Sequence, residues 1–194
     1  MSMAMTSRPT VTSGPGLEPV TLLQAKKQLE IASTDTAHDN QLQLLIQAAR
    51  EQWEHDTDSC VLTQTLTCTA EYLCDGIEIP KRPIQSITSI KYYDTSNVQQ
   101  TLSTAVYSLD APRRQIRLKY LQSWPDNLDR WDSILITYVA GYTTVGNVPA
   151  IAKQAILLLI AHYFENRDML LNVAMEQVKA YEMLVRRYQR STYP

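Results

Sequence analysis

The chain has 194 residues, 44% hydrophobic and 20% charged, with a formal net charge of −2. That length can bury a core without staples, and the missing basic excess argues against a protein that lives by gripping nucleic acid, although DNA can still pass nearby. Cys60, Cys68 and Cys74 are odd in number and form no C-x-x-C pair, so they make neither a disulfide framework nor a zinc knuckle and read as reduced thiols in or near strands.

Residues 1–19 are rich in Ser, Thr, Gly, Pro and Met. Alone in water such a segment is expected to be disordered, and it orders by lying on something, such as a neighbouring subunit. Its opening, MSMAMTSRPT, has no apolar signal core, so secretion is not expected. The first helix is expected over about 22–31. Thr21 and Gln24 form a capping box there, Val20 is placed as the hydrophobic staple, and Leu22, Ala25 and Leu29 share a face. A second helix, over about 39–57, starts with Asp39 as its cap. Leu42, Leu45, Ile46, Ala49 and Trp53 make its apolar stripe, and Gln43, Gln47, Arg50 and Glu54 its polar face.

The period then changes to two. Thr63, Thr65, Thr67 and Thr69 alternate with Leu66, Cys68, Ala70 and Tyr72, which predicts a strand across 62–73. Further strands are expected at 77–79, 84–93, 98–102, 107–109, 116–118 and 133–140. Asp75-Gly76 and the loop Asp94 to Asn97 supply turns. A loop carrying Trp124 and Trp131 precedes the last strand.

The segment VPAIAKQAILLLIAHYFENR, Val148 to Arg167, is the most hydrophobic in the chain. Asn147 or Val148 is expected to cap it, with Pro149 in its first turn. Between Ala155 and Phe164 only His162 is strongly polar. That run is far short of the roughly 20 residues a membrane span needs, so it reads as a central core helix. A last helix is expected over about 173–190, with Val178, Tyr181, Val185 and Tyr188 as its apolar face and Arg186, Arg187 and Arg190 in its final turns. The fold class is therefore α+β: a four-helix bundle-like core (about 22–31, 39–57, 149–167 and 173–190) with a β-rich insertion at about 60–145. Residues 1–19 form an extended tail, and 20–59 with 146–194 the helical core.

No catalytic constellation emerges. His162 and Glu165, three apart, would offer two metal ligands but lack a third, so both read as structural residues beside Trp53, Ile156 and Leu159. His38 and His55 read as surface residues. No serine sits in G-x-S-x-G, and the 5 glycines make no phosphate-binding loop, so neither catalysis nor a cofactor is expected. Two basic clusters stand out. Arg113, Arg114, Arg117 and Lys119 form one, diluted by Asp110, Asp126, Asp129 and Asp132; Arg186, Arg187 and Arg190 form the other. Either could touch phosphates, with Tyr120 or Tyr188 stacking, but solvated charge or protein pairing is the simpler reading. The 11 Tyr, against 1 Phe, suit half-wet protein contacts.

Four stretches in order resemble the tailed-phage head–tail connector (adaptor) family, whose members are also described as possible DNA-packaging proteins; gene transfer agents carry a similar adaptor. They are Thr21-Leu22-x-x-Ala25-Lys26-x-x-Leu29 with Asp39 to Ala49; Pro80-x-x-Pro83-Ile84-x-Ser86-Ile87-x-Ser89-Ile90-x-Tyr92-Tyr93-Asp94; Ile136-Thr137-Tyr138-x-Ala140-Gly141-Tyr142; and Val148-Pro149 through Lys153-Gln154-Ala155 to Glu165-Asn166-Arg167. The resemblance spans about residues 20–170. It implies a virion protein made in the host bacterial cytoplasm and placed at the neck. There it would form a ring, twelve-fold in the virion, that docks under the portal and continues the DNA channel. The ring would receive the stopper or tail-completion protein. DNA would pass without specific binding, no membrane would be involved, and the C-terminal segment would reach toward the portal. Tyr181, Tyr188, Arg186, Arg187 and Arg190 are the expected partner contacts. The alternative is a DNA-binding packaging or completion factor using the clusters at 113–119 and 186–190.

Overall fold

The computed structural model describes residues 6–126, 132–166 and 175–192. Asp129, Trp131 and Arg167, singled out above, lie outside them, as does the expected start of the last helix at Val173. The elements run β1 (Thr10–Ser13), α1 (Leu22–Gln28), α2 (Asp39–Asp56), β2 (Gln64–Ala70), β3 (Ile77–Glu78), β4 (Ile84–Tyr93), β5 (Gln99–Thr101), β6 (Tyr107–Asp110), β7 (Gln115–Leu118), β8 (Ile134–Ala140), α3 (Ala150–Glu165) and α4 (Met175–Thr192). The class is α+β, with two antiparallel sheets and four helices among the described residues. The chain divides into two compact units, Met1–Pro15 with Thr63–Gly141 and Gly16–Leu62 with Tyr142–Pro194.

In the first unit a five-stranded sheet has the order β1-β2-β8-β4-β5, and a three-stranded sheet the order β3-β7-β6. The alternation along β2 and β8 sets their faces. Leu66, Cys68 and Ala70 on β2 and Ile134, Ile136, Tyr138 and Ala140 on β8 are buried, while the intervening threonines of β2 are only half-buried. The register is unbroken from Gln64 opposite Ala140 to Ala70 opposite Ile134. Tyr138 is fully buried, and its hydroxyl donates to the Pro80 carbonyl at 2.6 Å, so the ring is sunk without leaving its polar tip unpaired. Burial pushes the Cys68 thiol up to about 12, which suits a packing role rather than a nucleophile.

The strand β1 has no counterpart in the expected pattern, which made residues 1–19 an extended tail. All four of its side chains are exposed, so it carries no period-two signal to read. It lies antiparallel on β2, Thr10 opposite Thr67 and Val11 opposite Leu66, with an irregularity before Ser13 opposite Thr65.

In the second unit α1 begins as the sequence indicates. Thr21 accepts from the Gln24 N–H, the Gln24 side chain accepts from the Thr21 N–H, and Val20 is buried. The helix stops at Gln28 rather than near Ile31, because Glu30 turns left-handed at φ 57°. Asp39 is not the cap of α2. His38 holds that position without a side-chain bond, and Asp39 instead pairs with the buried Lys26 at 2.6 Å. The cap of α3 is Pro149, preceded by a 3-10 turn at Val145–Asn147. One core unites the helices: Leu42, Ile46, Ala49 and Trp53 of α2, Ala152, Ala155, Ile156, Leu159 and Ile160 of α3, and Tyr181 and Tyr188 of α4. The packing does not establish a four-helix bundle, since α1 has 7 residues against 16 in α3 and 18 each in α2 and α4.

Arg50 and Glu54 leave the polar face assigned to them and are buried. Each is multiply paired there. Arg50 donates to Glu54 at 3.1 Å and to Glu18 at 2.9 Å, while Glu54 accepts the Val61 N–H at 2.7 Å. Burial alone would lower the Arg50 pKa, but the charges of Glu54, Glu18 and Glu51 and the bond to Glu18 outweigh it and raise it. The clasp fixes the segment entering α1 and the segment leaving α2 to one guanidinium.

Candidate interaction surface

The spacing of Tyr181 and Tyr188, two turns apart, sets both on one side of α4. That side faces α2. Tyr188 meets the Trp53 ring edge-on at 5.2 Å and Tyr181 at 6.2 Å. Both tyrosines are buried, and Trp53 is fully so. The two tyrosines expected to greet a partner are thus consumed in holding α4 to its own unit. Hydrophobic periodicity cannot tell a face that meets another chain from one that meets the same chain. Arg186, Arg187 and Arg190 stay on the exposed side with Met183, which is 71% exposed. Arg186 approaches Glu182 at 3.8 Å, a weak exposed pair.

Asp56, at the end of α2, receives α4. Its side chain accepts from the Tyr181 hydroxyl at 2.7 Å and from Gln52 at 2.8 Å, and its carbonyl accepts from Gln189 at 3.0 Å. Burial pushes the carboxyl up, but hydrogen bonds from Gln52, Tyr181 and His55 and the charge of His55 win and hold it below the ordinary range. Burial, then the bond to Asp56, raises the Tyr181 phenol, which stays a donor. A cavity of about 560 Å³ opens beside this node, lined by Asp56, Leu159, His162, Tyr163, Val185 and Arg186 among others.

Of the other sequence-selected residues, Ile156 and Leu159 are buried with Trp53. His162 is half-buried, within 3.2 Å of the Asn166 amide. Glu165 is exposed, because it falls on the solvent side of the last turn of α3, and it is not a core residue. His38 is half-buried and meets Phe164 edge-on at 5.4 Å, so it is more than a surface residue. Among the described residues no three His, Cys, Asp or Glu side chains gather as a metal site, and no helix is long and apolar enough to cross a membrane.

The first basic cluster is largely engaged. Arg114 pairs with Glu78 at 2.6 Å, Arg113 and Arg117 share Asp110 at 3.7 Å, and Lys119 donates to the Thr104 carbonyl at 2.8 Å. Two acids, Glu78 and Asp110, thus offset part of the positive charge of the cluster. Beside it Tyr120 and Leu121 stand 90% and 84% exposed.

Solved structures share the fold of this chain. A chain in the virion of a native gene transfer agent particle superposes with a TM-score of 0.74 at 19% identity, covering 94% of this chain and 95% of that one. Chains in two neck reconstructions superpose similarly. The neck of an empty gene transfer agent particle computed with C6 symmetry gives 0.71 at 18% identity, over 90% and 95% of the two chains. The neck of a native particle computed with C12 symmetry gives 0.58 at 20%, over 89% and 94%. No curated protein matches the chain by sequence. The family model for phage gp6-like head-tail connector proteins matches residues 19–117, and the chain belongs to that family.

Proposed function

We propose that this protein is a structural adaptor of the virion neck of a tailed phage or phage-like particle. It assembles as a ring beneath the portal, extends the DNA channel and offers a docking surface to the stopper or tail-completion protein. The observation that carries this reading is the head–tail connector family match over residues 19–117. The shared fold with chains from neck reconstructions of six-fold and twelve-fold symmetry supports the ring. A channel wall needs no turnover and no strong phosphate affinity, in keeping with the partial offset of the β-unit arginines by Glu78 and Asp110.

The portal contact is assigned to the exposed side of α4: Arg186, Arg187 and Arg190. Removing the whole C-terminal segment is a poor test of that assignment, because it would strip Tyr181 and Tyr188 from Trp53. The test is Arg186→Glu with Arg187→Glu, assayed for joining of filled heads to tails in complementation. The expected result is folded protein and lost joining; normal joining would move the contact elsewhere. The alternative, a DNA-gripping packaging factor, is tested by a binding titration at rising salt, where a slope of several phosphates would favour it.

A further inference from the structure

The N-terminal strand is held to its sheet by polar edge pairing. Residues 6–13 run along the outer edge of β2. The Ser7 N–H donates to the Thr69 carbonyl at 2.8 Å, the Thr69 N–H donates to the Ser7 hydroxyl at 2.9 Å, and the Thr12 and Thr67 hydroxyls lie 3.1 Å apart. Thr6 adds a bridge to Ala70 and donates to the Glu78 carbonyl at 3.0 Å. Every one of these bonds is made by the backbone or by a small hydroxyl, and Thr10 to Ser13 are all exposed. The grip is thus a ladder with almost no side-chain burial, the kind of polar edge pairing whose partner is weakly specified.

The segment joining β1 to the helical unit has the composition of a hinge. It reads Gly14-Pro15-Gly16-Leu17, and the space around both glycines is open, with nothing within 4 Å of where a Cβ would sit. Beyond it Glu18 is fixed by Arg50 at 2.9 Å. The linker therefore lies between two attachments, the β1 ladder and the Arg50–Glu18 pair. A second copy of this chain carries the same donor strand and the same β2 edge. Exchange between copies would remake each of these bonds and change only the path of the hinge.

We propose that in the assembled ring Thr10–Ser13 of one protomer pairs with the β2 edge of the next, so that neighbouring subunits are stitched by exchanged strands. This rests on the ring reading above. In an isolated chain the closed arrangement is favoured, since the tether holds the strand at high effective concentration next to its own edge. Packed side by side, copies offer an equivalent edge at comparable concentration, and the exchanged ladder then adds an interprotomer tie with no new contact chemistry.

The test is cysteine trapping at the Thr12–Thr67 pair. Thr12→Cys and Thr67→Cys chains are prepared separately, mixed at assembling concentration and oxidised. Each variant oxidised alone gives the background from Cys60, Cys68 and Cys74. The double variant on one chain, oxidised when dilute, reports that the geometry closes a disulfide. Exchange is expected to give a covalent dimer in the mixture that neither variant gives alone, and covalent multimers of the double variant at assembling concentration. A mixture that stays monomeric on a non-reducing gel, while the double variant closes within its own chain, overturns the exchange. The native mass of the unoxidised chain is read in parallel. A ring without the mixed dimer rejects the exchange alone; a mixed dimer without a ring upholds the exchange and rejects the ring.

Discussion

The two ends of this chain are held by opposite physics. The C-terminal helix α4 is fastened by large rings, Tyr181 and Tyr188 against a fully buried Trp53, and by a hydroxyl given to the Asp56 carboxylate. The N-terminal strand β1 is fastened by backbone bonds and threonine hydroxyls, with its side chains in solvent. Aromatic burial is worth several kcal/mol and is specific in shape; an exposed edge pairing is worth little per residue and is indifferent to which copy supplies the strand. The contrast teaches that α4 is fastened through the core and β1 through edge hydrogen bonds.

The largest expected effect comes from breaking the aromatic attachment. Trp53→Ala removes the surface on which both tyrosines sit and should destabilise the helical unit by about 3–5 kcal/mol, read as a fall in the urea midpoint. Arg50→Ala comes next. It leaves Glu54 buried without its cation and releases Glu18, and about 3 kcal/mol is expected from breaking a buried pair, again by denaturant titration.

Tyr181→Phe is a finer cut at the same end. It keeps the ring and removes one hydrogen bond to a carboxylate, so a loss of about 1.5–3 kcal/mol is expected at neutral pH. The loss should depend on pH. Asp56 has a folded pKa below its ordinary 3.8, so its contribution is present above that value and disappears as pH falls through the folded pKa. The difference between the two proteins should therefore shrink toward acid pH; a difference constant from pH 7 down to pH 2 would show that the hydroxyl acts through packing alone. The smallest effect belongs to the other end. Thr12→Ala should shift stability by under about 0.5 kcal/mol, and a loss as large as that of Tyr181→Phe would erase the contrast between the ends.

The same contrast explains what could be read in the amino-acid string. Elements with periodic burial were legible: the alternation from Gln64 to Ala70, the stripe from Leu42 to Trp53, the capping box at Thr21 and Gln24. The strand β1 has no buried face and so no pattern, and only its tertiary neighbour makes it a strand. Arg50 and Glu54 look like a solvated helix face in one dimension, because Glu18 lies 32 residues from Arg50 and the Val61 N–H lies beyond the end of the helix. For the candidate surface, the apolar face of α4 was legible, but not that its tyrosines are spent on Trp53 rather than on another protein. In the β unit the sequence already set Asp110 beside the arginines, but not Glu78, which the strand pairing brings to Arg114.

The central claim is that this chain is a ring-forming neck adaptor. Electron cryomicroscopy of the purified particle, reconstructed at the neck, tests it most directly. The expected result is a closed ring of copies of this chain, twelve in the virion, seated between the portal and the first tail or stopper protein. A neck without this chain, or the chain present as a single asymmetric copy, would contradict the account.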